Sequence, residues 1–105
     1  MSEISVRRLH ERRKQGDELV VLDVREPDEL AAASLEEVVH IPMAEIPNRF
    51  GELPTDRDIA VLCHSGRRSE LVVRFLRANG YPRALNITGG IDQWSREVDP
   101  SVPRY

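Results

Sequence analysis

Hydrophobic and polar positions along this chain follow two alternating periods. Four short runs are apolar almost throughout: Glu18 to Val24, Val38 to Pro42, Asp58 to Leu62 and Ala84 to Thr88. Their length and β-branched content fit strands, and the first has the unbroken apolar middle of a strand buried on both faces of a parallel sheet. Between them the apolar residues recur at helical spacing. Ser5 to Lys14 carries Val6 and Leu9 and stops at Gly16, a short helix with a glycine terminus. Pro27 opens a second helix through Ala33, in the first turn that proline favours. Met43 to Leu53 is helical in pattern but broken by Pro47 and Gly51, with Ile46, Phe50 and Leu53 as core candidates. Ser69 to Asn79 places Leu71, Val72, Phe75 and Leu76 on one face, ends at Asn79-Gly80, and cannot resume across Pro82. Gly89-Gly90 turns the last strand into a helix from Ile91 through Trp94 to Ser95, and the tail from Val98 to Tyr105 is irregular. Strands alternating with helices imply an α/β fold with a parallel sheet and right-handed crossovers.

Composition adds bounds. The 105 residues suffice for one core and one domain, residues 1–105. A formal net charge of −3 gives no reason to expect nucleic acid or an anionic membrane as partner. No apolar run approaches the ~20 residues of a membrane span. Met1-Ser2-Glu3 lacks a signal-peptide pattern, so a cytoplasmic location is expected. The basic cluster Arg7, Arg8, Arg12, Arg13 and Lys14 reads as a solvated helix face. With a single cysteine and three scattered histidines, His10, His40 and His64, neither an internal disulfide nor a metal site is expected.

That cysteine is where the chemistry gathers. Asp58-Ile59-Ala60-Val61-Leu62-Cys63-His64-Ser65-Gly66-Arg67-Arg68-Ser69 is a strand, a short polar turn and a helix start. The carboxyl edge of an open α/β sheet is where ligands bind. Turn N–H groups and a helix amino end favour an anion there, and a thiolate is an anion. A lone cysteine is often a small buried hydrophobe. Here Gly66 permits a cradle, Arg67 and Arg68 bring positive charge, and the polar neighbours predict an exposed thiol. Asp23 and Arg25 close the first of the four strands at the same edge.

Cys-His-Ser-Gly-Arg-Arg-Ser at 63–69 resembles the active-site loop of rhodanese domains, Cys-x-x-Gly-x-Arg-Ser/Thr. Leu22-Asp23-Val24-Arg25-Glu26-Pro27, followed by His40-Ile41-Pro42, is similar to that family's amino-terminal signature, and Asn86-Ile87-Thr88-Gly89-Gly90-Ile91-Asp92-Gln93-Trp94 to its carboxyl-terminal one. Val39 and Met43 stand where the family usually has glycines around its His-Ile-Pro. The resemblance implies a three-layer fold with a small, mostly parallel sheet flanked by helices. It implies a sulfurtransferase without cofactor, in which Cys63 takes a sulfane sulfur from thiosulfate or a persulfide. A thiol (glutathione-type or on a protein) or cyanide would then remove that sulfur.

Roles can be assigned on that basis. Cys63 is the nucleophile, and His64, Ser65, Gly66, Arg67 and Arg68 form the loop that presents N–H groups to the terminal sulfur. Arg67, inside the turn, either faces the mouth and attracts anionic donors or is an ordinary surface arginine. Arg68 braces the loop through a carboxylate, Asp23 or Glu26. Ser69 belongs to the helix amino terminus and is at most a cap. His64 as a general base is the weaker idea, because a loop-stabilised thiolate needs none. Trp94 reads as core. Two other classes compete: a cysteine phosphatase or arsenate reductase, whose loop holds five residues between cysteine and arginine against four here, and a non-catalytic interaction module, which commonly lacks the cysteine.

Overall fold

The computed structural model describes residues 2–105. Five strands form one sheet in the order β1-β5-β4-β2-β3, and every neighbouring pair is parallel. In chain order these are β1 (Glu3–Ile4), β2 (Val20–Asp23), β3 (Val39–His40), β4 (Ile59–Leu62) and β5 (Ala84–Ile87). The helices are α1 (Val6–Lys14), α2 (Pro27–Ala32), α3 (Ile46–Arg49), α4 (Arg67–Ala78) and α5 (Gly90–Glu97). Single 3-10 turns, Met43–Glu45 and Phe50–Glu52, flank α3, as expected of a helical pattern interrupted by Pro47 and Gly51.

Central β4 is buried at every position, so its side chains divide between two cores. Ile59 and Val61 pack with Leu22, Val24 and Ile41 against Ile46, Leu53, Val72, Val73 and Leu76. Ala60 and Leu62 pack with Val21 and Ile87 against Val6, Leu9, Ile91 and Trp94. The result is three layers, with α3 and α4 on one face and α1 and α5 on the other. Trp94 is core, as expected, with the His10 ring edge-on at 5.7 Å.

Two elements differ from the sequence reading. β1 was not anticipated: it has only two residues, and pairing with β5 makes it a strand (Glu3 opposite Asn86, Ile4 opposite Ile87). α4 begins at Arg67, two residues ahead of the expected Ser69, because Gly66 at φ +99° caps it in the left-handed region that glycine adopts freely. The basic face of α1 is also less solvated than expected. Arg12 is mostly covered and pairs with Asp17 at 2.9 Å and Asp58 at 3.0 Å, tying α1 to the start of β4.

Candidate active site

The alternation of β4 decides which way the cysteine points. Cys63 follows Ile59 and Val61 in the period-two series, so it packs with them on the α4 side. There the chain leaves the sheet. The carbonyl of Cys63 accepts the Ile91 N–H at 2.9 Å, and that of His64 accepts the Asp92 N–H at 3.1 Å. Unpaired N–H groups at the start of α5 thus hold the loop carbonyls, which leaves later loop N–H groups free for the sulfur. Gly90 makes this approach possible: a Cβ there would lie 2.4 Å from the Cys63 carbonyl oxygen and 2.5 Å from that of His64.

The sulfur is enclosed. Cys63 is only 1% exposed, against the expectation of an open thiol. The polar neighbours suggested exposure, but N–H groups that converge on one atom necessarily wrap it. Gly66 donates its N–H to Sγ at 3.0 Å, and the Ser69 hydroxyl stands 3.3 Å from Sγ. Burial pushes the thiol up; the Ser69 hydroxyl and the N–H groups of Ser69, Gly66 and Ser65 outweigh it, and the thiol is lowered from its ordinary value. Ser69 therefore does not cap α4. It is the third residue of that helix, fully buried, and donates to Asn86 Oδ1, while Asn86 Nδ2 donates to the Gly66 carbonyl at 3.1 Å.

Two ion pairs frame the loop. Arg25 and Asp23 are both fully buried: Arg25 donates through Nε to Oδ1 at 3.0 Å and through Nη2 to Oδ2 at 2.8 Å. Arg68 pairs with Glu29, two parallel bonds of 2.7 and 2.8 Å. This corrects the expected partners. Asp23 is taken by Arg25, and Glu26 lies at the amino end of α2, where its backbone N–H donates to Glu29 at 3.0 Å. That contact and the two bonds from Arg68 aim Glu29 at the loop. Arg68 holds the Glu29 carboxyl down to about 2, against an ordinary 4.5, and Glu29 in turn raises the Arg68 guanidinium. Arg67 lies with Arg68 in the first turn of α4, where the loop runs into the helix, and is exposed and without an ion pair among the described residues. His64 turns its ring toward Tyr105, centroids 4.5 Å apart, and its Nδ1 is enclosed without a hydrogen-bond partner.

The rhodanese-like domain family model matches residues 5–97. This chain is a rhodanese-like domain. A sulfurtransferase of Allochromatium vinosum is 36% identical over 102 residues, covering 97% of this chain and 95% of that protein. The rhodanese-like/PpiC domain-containing protein 12 of Arabidopsis thaliana is 37% identical, and the match spans all of this chain but 38% of that longer protein. The crystal structure of a rhodanese-related protein from Thermoplasma volcanium superposes with a TM-score of 0.85 at 35% identity, covering 93% of this chain and 94% of that one.

In this rhodanese-like domain the loop residues 63–69 come together as the motif suggested. Four further residues that the sequence reading gave no role at the loop stand around it: Arg25, Glu29, Asn86 and Tyr105. Arg25 closes β2 and stands in the amino-terminal signature, and neither fact directs it to the loop. Glu29 carried a usable signal, because Glu26-Pro27-Asp28-Glu29 has the spacing of a capping box. Asn86, a polar residue inside an apolar strand, carried another. Tyr105 carried none. A cavity of about 700 Å³ lies elsewhere, between α1 and the segment after α2, and includes no residue of the loop.

Proposed function

We propose that this domain is a sulfurtransferase and that Cys63 carries the transferred sulfur. The observation behind this reading is the convergence of Gly66 N–H and the Ser69 hydroxyl on a buried, lowered thiol. A purely structural cysteine gains nothing from such a cradle, whereas a thiolate, and the persulfide anion that replaces it, are both stabilised there.

The reaction has two displacements. The Cys63 thiolate attacks the outer sulfur of thiosulfate, the S–S bond of the donor breaks, and sulfite leaves with its electron pair. With a persulfide donor, the leaving group is a thiolate. Cys63 now bears a persulfide anion, which the loop N–H groups hold. An acceptor thiolate or cyanide then attacks the outer sulfur, the bond to Cys63 breaks, and the cysteine thiolate is restored. Arg67, exposed beside the loop, attracts anionic donors; Arg68, fixed by Glu29, adds positive charge within reach of Cys63. No second cysteine is present to resolve the persulfide internally, so the acceptor comes from outside. A compartment rich in small thiols, such as the cytoplasm, suits that demand.

A cradle closed around a single sulfur leaves little space for the three equatorial oxygens of a phosphoryl group, which weighs against a phosphatase. The test is intact-mass measurement after thiosulfate treatment and desalting. One added sulfur is expected on the wild type, removable by dithiothreitol, and none on Cys63→Ser. Failure to form the adduct with thiosulfate or any organic persulfide would overturn the reading.

A further inference from the structure

Tyr105 touches the first residue of the cysteine loop and the carboxylate that grips its last arginine. Its ring lies against His64, the first loop residue, at 4.5 Å between centroids and 63° between planes. Its hydroxyl donates at 2.9 Å to Glu29 Oε2, and Glu29 grips Arg68 at the far end of the loop. The same hydroxyl accepts from Arg25 Nη1 at 2.9 Å, with the Arg25 guanidinium 5.7 Å from the ring centre. The preceding residues hold it there. Val102 is buried in the α1–α5 core, and Arg104 pairs at 3.1 Å with Asp92, whose own N–H ties down the His64 carbonyl. Tyr105 is nevertheless 44% exposed, so the residue that packs on His64 also meets solvent.

This placement matters because the sulfur is enclosed. An acceptor must reach the outer sulfur past the loop and the residues packed on it, and a rigid aromatic ring there discriminates by size. We propose that Tyr105 is a specificity-determining residue: its ring walls the mouth between His64 and Arg68 and favours small sulfur acceptors over bulky ones. The inference rests on the sulfur-transfer reading of Cys63. The step it governs is the second displacement, in which an acceptor thiolate attacks the outer persulfide sulfur and the Cys63 thiolate departs.

The experiment loads the protein with thiosulfate, desalts it, and compares discharge rates for 2-mercaptoethanol and for glutathione. Both are thiols, so the chemistry is held constant while size changes. Tyr105→Ala should raise the glutathione to 2-mercaptoethanol rate ratio roughly tenfold, the scale on which pocket contacts discriminate. Tyr105→Phe, which keeps the ring and removes the hydroxyl, should keep the wild-type ratio. Tyr105→Trp should lower it, and decides the matter if the alanine variant does not fold. An unchanged ratio in the folded alanine or tryptophan variant overturns the proposal even if both rates fall, as does a phenylalanine variant that behaves like alanine. A wild type that never loads sulfur refutes the reading of Cys63, and this proposal falls with it. A wild type that loads and discharges, with ratios indifferent to residue 105, refutes this proposal alone.

Discussion

Ser69 gives its one hydroxyl proton to Asn86 Oδ1 while standing 3.3 Å from the sulfur of Cys63. Asn86 cannot turn to suit it, because its Nδ2 is committed to the Gly66 carbonyl. A neutral thiol can supply its own proton to Ser69. A thiolate accepts only, so the hydroxyl stabilises it only by turning from Asn86 to sulfur, beside the N–H groups already aimed there. Ser69→Ala should therefore raise the thiol pKa and slow alkylation by iodoacetamide at neutral pH. It should also destabilise the fold by about 1–3 kcal/mol, because Asn86 Oδ1 stays buried without a donor. An alkylation profile that matches the wild type would show that the N–H groups alone set the acidity.

Gly90 is the backbone counterpart of that side-chain network. At φ +61° and with the Cys63 and His64 carbonyls 2.4 and 2.5 Å from a prospective Cβ, it cannot accept a side chain unless the loop moves. Gly90→Ala should cost about 2–4 kcal/mol by denaturant titration. Gly16→Ala serves as the control: φ is +76° but nothing lies within 4 Å, so only the backbone conformation is penalised. Its cost should be about 1 kcal/mol, the scale of the left-handed strain alone. Equal losses would mean that the loop yields easily.

How far the sequence could be read follows from how local each determinant is. The strand pattern of Ile59 to Leu62, the proline at the start of α2 and the asparagine-glycine end of α4 act within a few residues, and each of these three features falls where it was expected. Cys63 and its loop were legible for the same reason. The partner of Arg68 was not, because Asp23, Glu26 and Glu29 all fall within one short stretch and only the direction of α2 in space selects among them. Cys63 burial was misread because polar side chains mark the loop outside while its N–H groups line the inside. β1 has no periodicity in two residues, and Tyr105 meets Glu29 across 76 positions of sequence, a contact that no local pattern encodes.

Arg67 and Arg68 are adjacent and are expected to fail differently. Arg67 is exposed and has no ion pair among the described residues, so Arg67→Ala should leave stability within about 0.5 kcal/mol of wild type. Its effect should be a severalfold rise in KM for thiosulfate with little change for a neutral persulfide donor. Arg68→Ala removes the bidentate partner of Glu29 and should cost about 1–2 kcal/mol in thermal stability, discounted for partial exposure of the pair. Melting curves beside KM values for both variants check this. Two variants that change only KM would show that Glu29 does not brace the loop.

The same ion pair gives the protein an acid-side signature. The Glu29 carboxyl is held at about 2 in the folded chain, principally by Arg68, against an ordinary 4.5. A folded pKa below the unfolded one means that the unfolded chain binds the proton more readily, so the pair stabilises the fold fully above about 4.5 and progressively less as pH falls toward 2. Glu29→Gln keeps the shape of the side chain, has no charge to lose, and turns one of the two accepting oxygens into a donor, much as protonation of the carboxyl does. At pH 7 it should be less stable than the wild type by about 1–2 kcal/mol, reduced from the full linkage value because Arg68 is 36% exposed. The gap should hold down to about pH 5, then narrow, and nearly close by pH 2.5, as read from urea titrations at each pH. A difference constant across that range would mean that the contribution of Glu29 is steric and hydrogen-bonded, with its charge contributing nothing to the brace.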